Sequence, residues 1–339
     1  MNYEEFIEYI REHLVDFFER QDWIHTCMQQ EDEAIQTTYT EQESRYELEL
    51  HKVIKNNGVT LDGLTLRRKG ESVSPNLYLN GYYDSYQMGK PMAVIMEEIY
   101  LQYQRVGAER DLEIDDLTDF AAVRDKIVVR LVNYDRNRTQ LEHCPHKQYL
   151  DLAITFRYLA SRDVMGMASS LITDQDFENW GIAIEELYSI ALFNTMRILP
   201  WRIHSLTQMV SECVRQKAPD KLVEELLADI GELDRSEDGI HMHVLTNEAG
   251  INGATCILYD NVLRQFATTL NCNLFVMPSS IHEMMLVPHR EDTDAHFLAE
   301  LVSEANQSTV GLVDLLSDRI YYYDRDTDTV SIYTCPSDE

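Results

Sequence analysis

The first twenty residues repeat their apolar positions at helical spacing. Phe6, Ile10, Leu14 and Phe17 fall on one face, and Glu5, Glu8, Glu12 and Glu19 lie mostly elsewhere, which predicts an amphipathic helix over 3–20. Residues 28–44 are polar and acidic and read as a linker or exposed loop. The period then drops to two. Tyr46, Leu48 and Leu50 alternate with charged residues, the pattern of a half-buried strand. Asn56-Asn57-Gly58 marks a turn, because Asn and Gly tolerate positive φ. VTLDGLTLRR supplies a second strand, and SVSPNLYLN a third after a turn at Lys69–Gly70, so a β-meander is expected. A helix over 91–106 follows, opened by Pro91.

Further along, residues 109–126 are acidic and partly helical in pattern, and IVVRLVNY (127–134) reads as a strand. YLDLAITFRYLA and MGMASSLIT read as strands flanking a turn near Ser161–Asp163. Residues 174–230 form a helical block. Leu187, Ile190, Ala191, Asn194 and Ile198 keep helical spacing up to a stop at Pro200, and KLVEELLADIGEL is a further helix. IHMHVLT and ATCILYD are expected as strands, and NVLRQFATTL as a helix capped at Asp260 or Asn261. NLFVMP and SIHEMMLVP are short apolar strands, and DAHFLAELVSEAN is a helix. RIYYYD and TVSIY form a closing hairpin over Arg325–Asp328, with one of Tyr321, Tyr322 and Tyr323 buried and two exposed. Hairpins outnumber βαβ crossovers, which places the chain in the α+β class. Three segments are predicted: an acidic helix and linker at 1–44, a β-meander plus helix at 45–126, and a larger mixed helical and antiparallel β domain at 127–339.

Composition narrows the function. The 339 residues hold 59 acidic and 29 basic side chains, a formal charge of −30. Affinity for phosphate backbones and anionic membranes comes from Lys and Arg, so nucleic-acid coating and membrane-surface binding are excluded as whole-chain properties. The 44% apolar content, with 19 Tyr and 10 Phe, argues against disorder. Negative charge concentrates toward the ends: residues 1–50 hold 14 acids and 3 bases, and residues 251–339 hold 14 acids and 4 bases. Residues 51–90 instead hold 6 bases and 3 acids, a mildly basic island. Six cysteines without a CxxC, an acidic N-terminal start unlike a signal peptide, and no apolar run near the roughly 18 residues of a span point to a cytoplasmic protein. Nothing in the pattern sets an oligomeric state.

Candidate chemistry is sparse. Pro278-Ser279-Ser280-Ile281-His282-Glu283 places hydroxyls, an imidazole and a carboxylate together, as a nucleophile with its base requires. The plainer reading is a strand start with a turn-bonding serine, since adjacent strand residues point to opposite faces. His143, Cys144 and His146, joined by His241 and His243, have metal-ligand chemistry. Adjacent His and Cys lack the usual zinc spacing, so ordinary packing is the competing account. Asn133, Asp135, Arg136, Asn137 and Arg138 form a polar cluster, read either as loop-borne ligands or as a helix N-terminus capped by Asp135. Tyr78, Tyr82, Tyr83 and Tyr86 make an aromatic patch beside the basic island, for interaction or for core-edge packing. Asp324, Asp326 and Asp328 alternate like a calcium loop but lack its Gly and its final Glu, so they read as a turn or an acidic contact surface. Without GxGxxG or GxxxxGK[ST], no nucleotide cofactor is expected, and no other cofactor is implied.

KNNGVTLDGL, then PNLYLN-x-YY-xx-Y-xx-G, VNYDRNRTQLEHCPH-x-x-YLDLAI, NGATCILYDNVL and PSSIHEMMLVP resemble, in that order, an uncharacterised family. It is a conserved domain of unknown function of Gram-positive gut anaerobes, often beside mobile elements. The resemblance spans about residues 44–333 and is weakest before residue 44. PSSIHE alone also resembles a second uncharacterised family. The resemblance implies a cytoplasmic bacterial protein with a shared α+β fold, and it implies no catalytic residues. The expected function is therefore a non-enzymatic acidic protein engaging a basic protein partner. A sharper form is a nucleic-acid mimic inhibiting a CRISPR-type effector. The alternative is a hydrolase built on Ser279 or Ser280 with His282.

Overall fold

The computed structural model describes residues 1–29, 44–69, 76–108, 117–163, 166–217, 227 and 241–334. The chain forms two compact units, Met1–Lys55 with Val59–Glu113, and Asn56–Gly58 with Ile114–Glu339. Every strand pair among the described residues is antiparallel, and helices are interspersed with the sheets, so the fold is α+β as expected.

In the first unit, α1 (Tyr3–Gln29) starts on a capping box. Asn2 Oδ1 accepts from the Glu5 N–H, and the Glu5 carboxylate accepts from the Asn2 N–H, both at 2.9 Å. Phe6, Ile10, Leu14 and Phe18 are wholly buried, so Phe18 rather than Phe17 continues the inward face. The helix outruns the predicted end at residue 20, because the next inward position is Asp22, a polar residue that an apolar count passes over. Its carboxylate accepts from Tyr46 Oη (2.6 Å), Arg68 Nη2 (2.9 Å) and Tyr100 Oη (3.1 Å). The rest of the expected loop, 30–43, lies outside the described residues.

β1 (Tyr46–Ile54) and β2 (Thr60–Arg68) pair with Leu48 opposite Leu66 and Leu50 opposite Leu64. Asn57 and Gly58 turn the chain with φ of 58° and 70°. The third strand ends earlier than predicted: β3 is described over Asn76–Tyr78, residues 72–75 lie outside the described residues, and α2 (Leu79–Gln87) follows at once. Tyr82, Tyr83 and Tyr86 recur at helical spacing, which marks the change of period within the expected meander. α3 (Met92–Ala108) lies close to its predicted span and buries Ile95, Ile99, Tyr100 and Tyr103 in the core that α1 and the sheet share.

The second unit holds two sheets. After α4 (Phe120–Val123), β4 (Ile127–Asn133) pairs one edge of β6 (Leu152–Asp163). β6 also pairs β5 (His146–Tyr149), which follows α5 (Arg138–Leu141), and β7 (Gly166–Leu171). β6 continues through the predicted turn at 161–163. α6 (Asp174–Trp180) and α7 (Ile184–Ile198) follow, and Leu187 and Ala191 of α7 enter the core. Two buried polar side chains on α7 fasten it to the start of β4. Asn194 Nδ2 donates to Arg124 O (2.7 Å) and Ile127 O (3.0 Å), and Thr195 Oγ1 accepts from the Val129 N–H at 2.9 Å.

The predicted helical block is interrupted. β8 (Trp201–Ser205) follows Pro200 and joins the edge of a six-stranded sheet before α8 (Leu206–Lys217) begins. Helical periodicity resumes so soon after these five residues that the strand leaves no signal of its own. KLVEELLADIGEL lies almost wholly outside the described residues. The six-stranded sheet has the order β13-β12-β10-β11-β9-β8. Its other strands are β9 (His243–Asn247), β10 (Leu274–Ser280), β11 (Glu283–Pro288), β12 (Tyr321–Asp324) and β13 (Thr329–Ile332).

ATCILYD is not a strand. Gly253–Leu258 form a 3-10 turn whose first five residues are all buried, so no face alternates. A Cβ at Gly253 would strike the Thr246 hydroxyl and the His282 carbonyl, which explains the glycine there. α9 (Val262–Leu270) begins after Asn261, which has a left-handed φ of 63° and makes no side-chain capping bond. α10 (Ala295–Ser308) is capped by Asp294, which accepts from the N–H groups of His296 and Phe297. It packs Leu298 and Val302 against Phe275, Met277 and Val287 on the outer face of the sheet. Strand residues two apart share a face, so Tyr321 and Tyr323 are both buried in the main core, where only one buried tyrosine was predicted. Tyr322 is half-buried on the opposite face, which α10 covers. Asp151 accepts from two later elements: Oδ2 from Ser317 Oγ at 2.6 Å and Oδ1 from Tyr321 Oη at 2.7 Å.

Candidate functional site

The PSSIHE motif forms the tip of the β10–β11 hairpin, with Ser280 opposite Glu283. Ser279 Oγ donates to Glu283 Oε1 at 3.1 Å, and Ser280 Oγ accepts from the His282 N–H at 3.1 Å. The imidazole is engaged elsewhere. Its Nδ1 accepts from the Asn252 N–H (3.1 Å), which leaves the proton on Nε2, and Nε2 lies 3.4 Å from Asp314 Oδ1. A general base needs its lone pair toward the nucleophile, and here that lone pair is held by a backbone amide. Ile281 N–H donates to Asp314 O, and Thr246 Oγ1 donates to His282 O, so the tip is anchored from several elements. The hairpin thus brings Ser279 to Glu283 and His282 to Asp314, and neither serine hydroxyl to the ring nitrogens.

His143, Cys144 and His146 flank the start of β5. Cys144 is buried beside Val132, Leu141 and Ala153, and burial pushes its thiol up to about 11, with Asp174 adding to the rise. A metal takes the thiolate, which this setting disfavours. His146 Nδ1 donates to Cys144 O at 2.9 Å. His241 and His243 stand at the start of β9, in the other sheet, and His243 meets Phe266 edge-on. Among the described residues, no group of three or more His, Cys, Asp or Glu side chains is placed to hold a metal ion. The Asn133–Arg138 cluster is bonded within the fold. Asn133 Nδ2 donates to Leu316 O, Asn137 Nδ2 to Asn133 O, and Arg136 pairs with Asp318. Asp135 pairs with Arg138 at 2.6 Å rather than capping a helix.

Tyr78, Tyr82, Tyr83 and Tyr86 are all half-buried, and the last three pack against the first unit's core. Tyr83 meets Tyr3 edge-on at 4.8 Å, Tyr86 Oη accepts from the N-terminal amine, and Tyr78 Oη accepts from Lys55 at 2.5 Å. The neighbouring basic island is spent internally as well. Lys52 pairs with Asp62, Arg67 with Glu47, Arg68 with Asp22 and Lys90 with Glu98. The C-terminal aspartates build their turn. Asp324 Oδ1 accepts from the N–H groups of Asp326 and Thr327, and Asp328 takes Tyr323 Oη and Arg264. Asp326 is the most outward of the three, with Arg325 as a distant partner at 3.9 Å.

Other acids point outward without such bonds. On α1, Glu4, Glu12 and Asp16 are exposed and have no basic partner among the described residues. The same holds for Glu291, Asp292, Glu300 and Glu304 on and before α10. One further pair belongs to no sequence motif. Arg130 and Arg157 each stand in the middle of an apolar strand, and a cation inside IVVRLVN or AITFRYL is the only signal the sequence carries for them. Burial, then the like charge of Arg157, pushes Arg130 down to about 10, and Asp314 opposes the shift.

No helix among the described residues is long and apolar enough to cross a membrane. No match to the chain was found among curated proteins or among solved structures. One family profile does match, over residues 3–325. It begins at α1, earlier than the resemblance near residue 44, in keeping with the burial of Phe6, Ile10, Leu14 and Phe18 in the first unit's core. The chain belongs to DUF5688, a family of unknown function.

Proposed function

We propose that this chain is a non-enzymatic interaction protein whose outward carboxylates engage a basic protein partner. The observation that carries the reading is the contrast between inward and outward acids. Asp22, Asp62 and Asp151 are each bonded by several groups, whereas the exposed Glu4, Glu12 and Asp16 of α1 and Glu291, Asp292, Glu300 and Glu304 on and before α10 have no basic partner among the described residues. Complementary charge of this kind sets on-rate and partner choice. The sharper form is nucleic-acid mimicry of the kind that blocks a CRISPR-type effector. Glu12 and Asp16 stand about 6 Å apart along α1, against about 3.4 Å of axial rise per phosphate in one DNA strand, so a carboxylate would replace about every second phosphate.

The test is affinity capture with the full chain and with a Glu12→Lys, Asp16→Lys variant across a salt series. Basic proteins should be retained by the natural chain, released toward roughly 0.5 M salt as screening shortens, and lost from the variant. Equal retention by the variant, or retention indifferent to salt, overturns the reading. Displacement of the captured partner by DNA would support the mimic, and simultaneous binding of DNA would remove it.

A further inference from the structure

The outer face of the first sheet in the second unit has a charge problem. Ile127, Val129 and Leu131 of β4 and Ile154, Phe156 and Tyr158 of β6 face the main core. The alternate positions face the other way, and there Arg130 sits opposite Thr155 while Arg157 sits opposite Val128. The two arginines are therefore diagonal neighbours on one face, with Cβ atoms on the order of 7 Å apart. This face is not open water: Val128, Val132, Ala153 and Thr155 on it are all buried.

Arg157 is fixed. Its Nε donates to Ser169 Oγ at 2.9 Å and Nη2 to Ser169 O at 2.8 Å, neither of which carries a formal charge. Arg130 is crowded by protein, although part of the residue still meets solvent, and its Nε has neither solvent access nor a hydrogen-bond partner. Its guanidinium makes no ion pair among the described residues. Asp314 is the carboxylate whose charge reaches it, yet the close contact of Asp314 is with His282 Nε2 instead. A lysine in this position could shed its proton, but a guanidinium cannot, so an anion beside it would offset the cost of the desolvated charge.

We infer that Arg130 and Arg157 form a binding site for a small oxyanion, a phosphate group or a carboxylate, with Arg130 as the principal donor. The planar fork of Arg130 matches either group through paired N–H···O bonds. Arg157, already oriented by Ser169, adds the second positive charge. Thr155 donates its hydroxyl to Arg130 O at 3.1 Å, which holds the strand backbone beneath the fork.

The experiment measures thermal unfolding of the full chain at constant ionic strength in inorganic phosphate, in acetate and in chloride. The natural chain should gain stability with phosphate or with acetate over chloride, and the anion that acts identifies the source. Arg130→Leu should abolish that gain and raise the melting temperature in chloride, because it removes an unpartnered charge. No anion-specific gain in the natural chain, an undiminished gain in Arg130→Leu, or a lower melting temperature of a folded Arg130→Leu in chloride would each overturn the inference. Should Arg130→Leu not fold, Arg130→Lys replaces it: the charge remains but the fork is lost, and anion affinity should fall about tenfold. Unchanged affinity there is equally fatal.

Discussion

Tyr46 donates its hydroxyl to Asp22 across 2.6 Å, and both residues are buried. Arg68 and Tyr100 converge on the same carboxylate, so one acid joins α1, β1, β2 and α3. A hydrogen bond to a charged group contributes about 1.5–3 kcal/mol. Asp22→Ala should therefore destabilise the first unit by about 2–3 kcal/mol, with the half-exposed Arg68 adding little, while Asp22→Asn should cost less because it keeps an acceptor for the tyrosines. Urea midpoints of the two variants decide it; equal losses would mean that packing, not the carboxylate, holds these elements.

Alkali should unfold the chain through its raised tyrosines. Burial, then Asp22, pushes Tyr100 up to about 12, and burial pushes Tyr149 up to about 12, from an ordinary 10.0. The unfolded chain loses these protons first. The stabilisation is full below pH 10 and is lost as pH rises from about 10 to about 12. The Cys144 thiol, raised to about 11 from 9.0, begins the loss one unit earlier. Tyrosinate absorbance followed alongside the melting temperature should show ionisation of these tyrosines coinciding with unfolding; smooth ionisation of all tyrosines near 10 in a chain that stays folded would contradict it.

Salt should stabilise the protein. A formal charge of −30 repels itself, and the exposed Glu4, Glu12, Asp16, Glu291, Asp292, Glu300 and Glu304 have no basic partner to offset it among the described residues. Raising sodium chloride from roughly 10 mM to roughly 0.5 M shortens the screening length from about 30 Å to a few Å. The melting temperature should rise over that interval. A fall would show that the internal ion pairs around Asp22 and Asp62 outweigh the surface repulsion.

Gly253→Ala should cost about 1–3 kcal/mol, the range for forcing an extra carbon into a packed site. Its new Cβ would meet the Thr246 hydroxyl and the His282 carbonyl, so the β10–β11 tip must shift. Amide exchange at Ile281 and Ala254, whose N–H groups bond around that tip, should accelerate more than exchange in α10. Uniform acceleration would place the strain elsewhere.

Legibility follows periodicity. β1, β2, α3, β10, β11 and α10 are readable because apolar residues keep one period for several turns or pleats. β8 is not, because five residues with no buried side chain leave no stripe. Asp22 hides the end of α1, and burial on every side hides the 3-10 turn at Gly253. Local charge misleads in a different way. The basic island at 51–90 is positive along the chain and neutralised in space, since Asp22, Glu47 and Glu98 come to it from outside and Asp62 pairs within it. Arg130 and Arg157 are neighbours through strand register alone, and no motif of adjacent residues can reveal such a pair.

The two hydroxyls that bind Asp151 come from residues 166 and 170 positions later. Contacts of that separation are slow to form. On a ribosome, β4 and β6 would emerge with Leu131, Ile154 and Phe156 unclothed, and Leu274, Val276 and Tyr321 would reach them only after most of the second unit had been made. The first unit, whose core draws on residues 6–103, has no such wait. Synthesis should thus pass through a species with one finished unit and one sticky half-sheet, the stage at which a chaperone has most to hold.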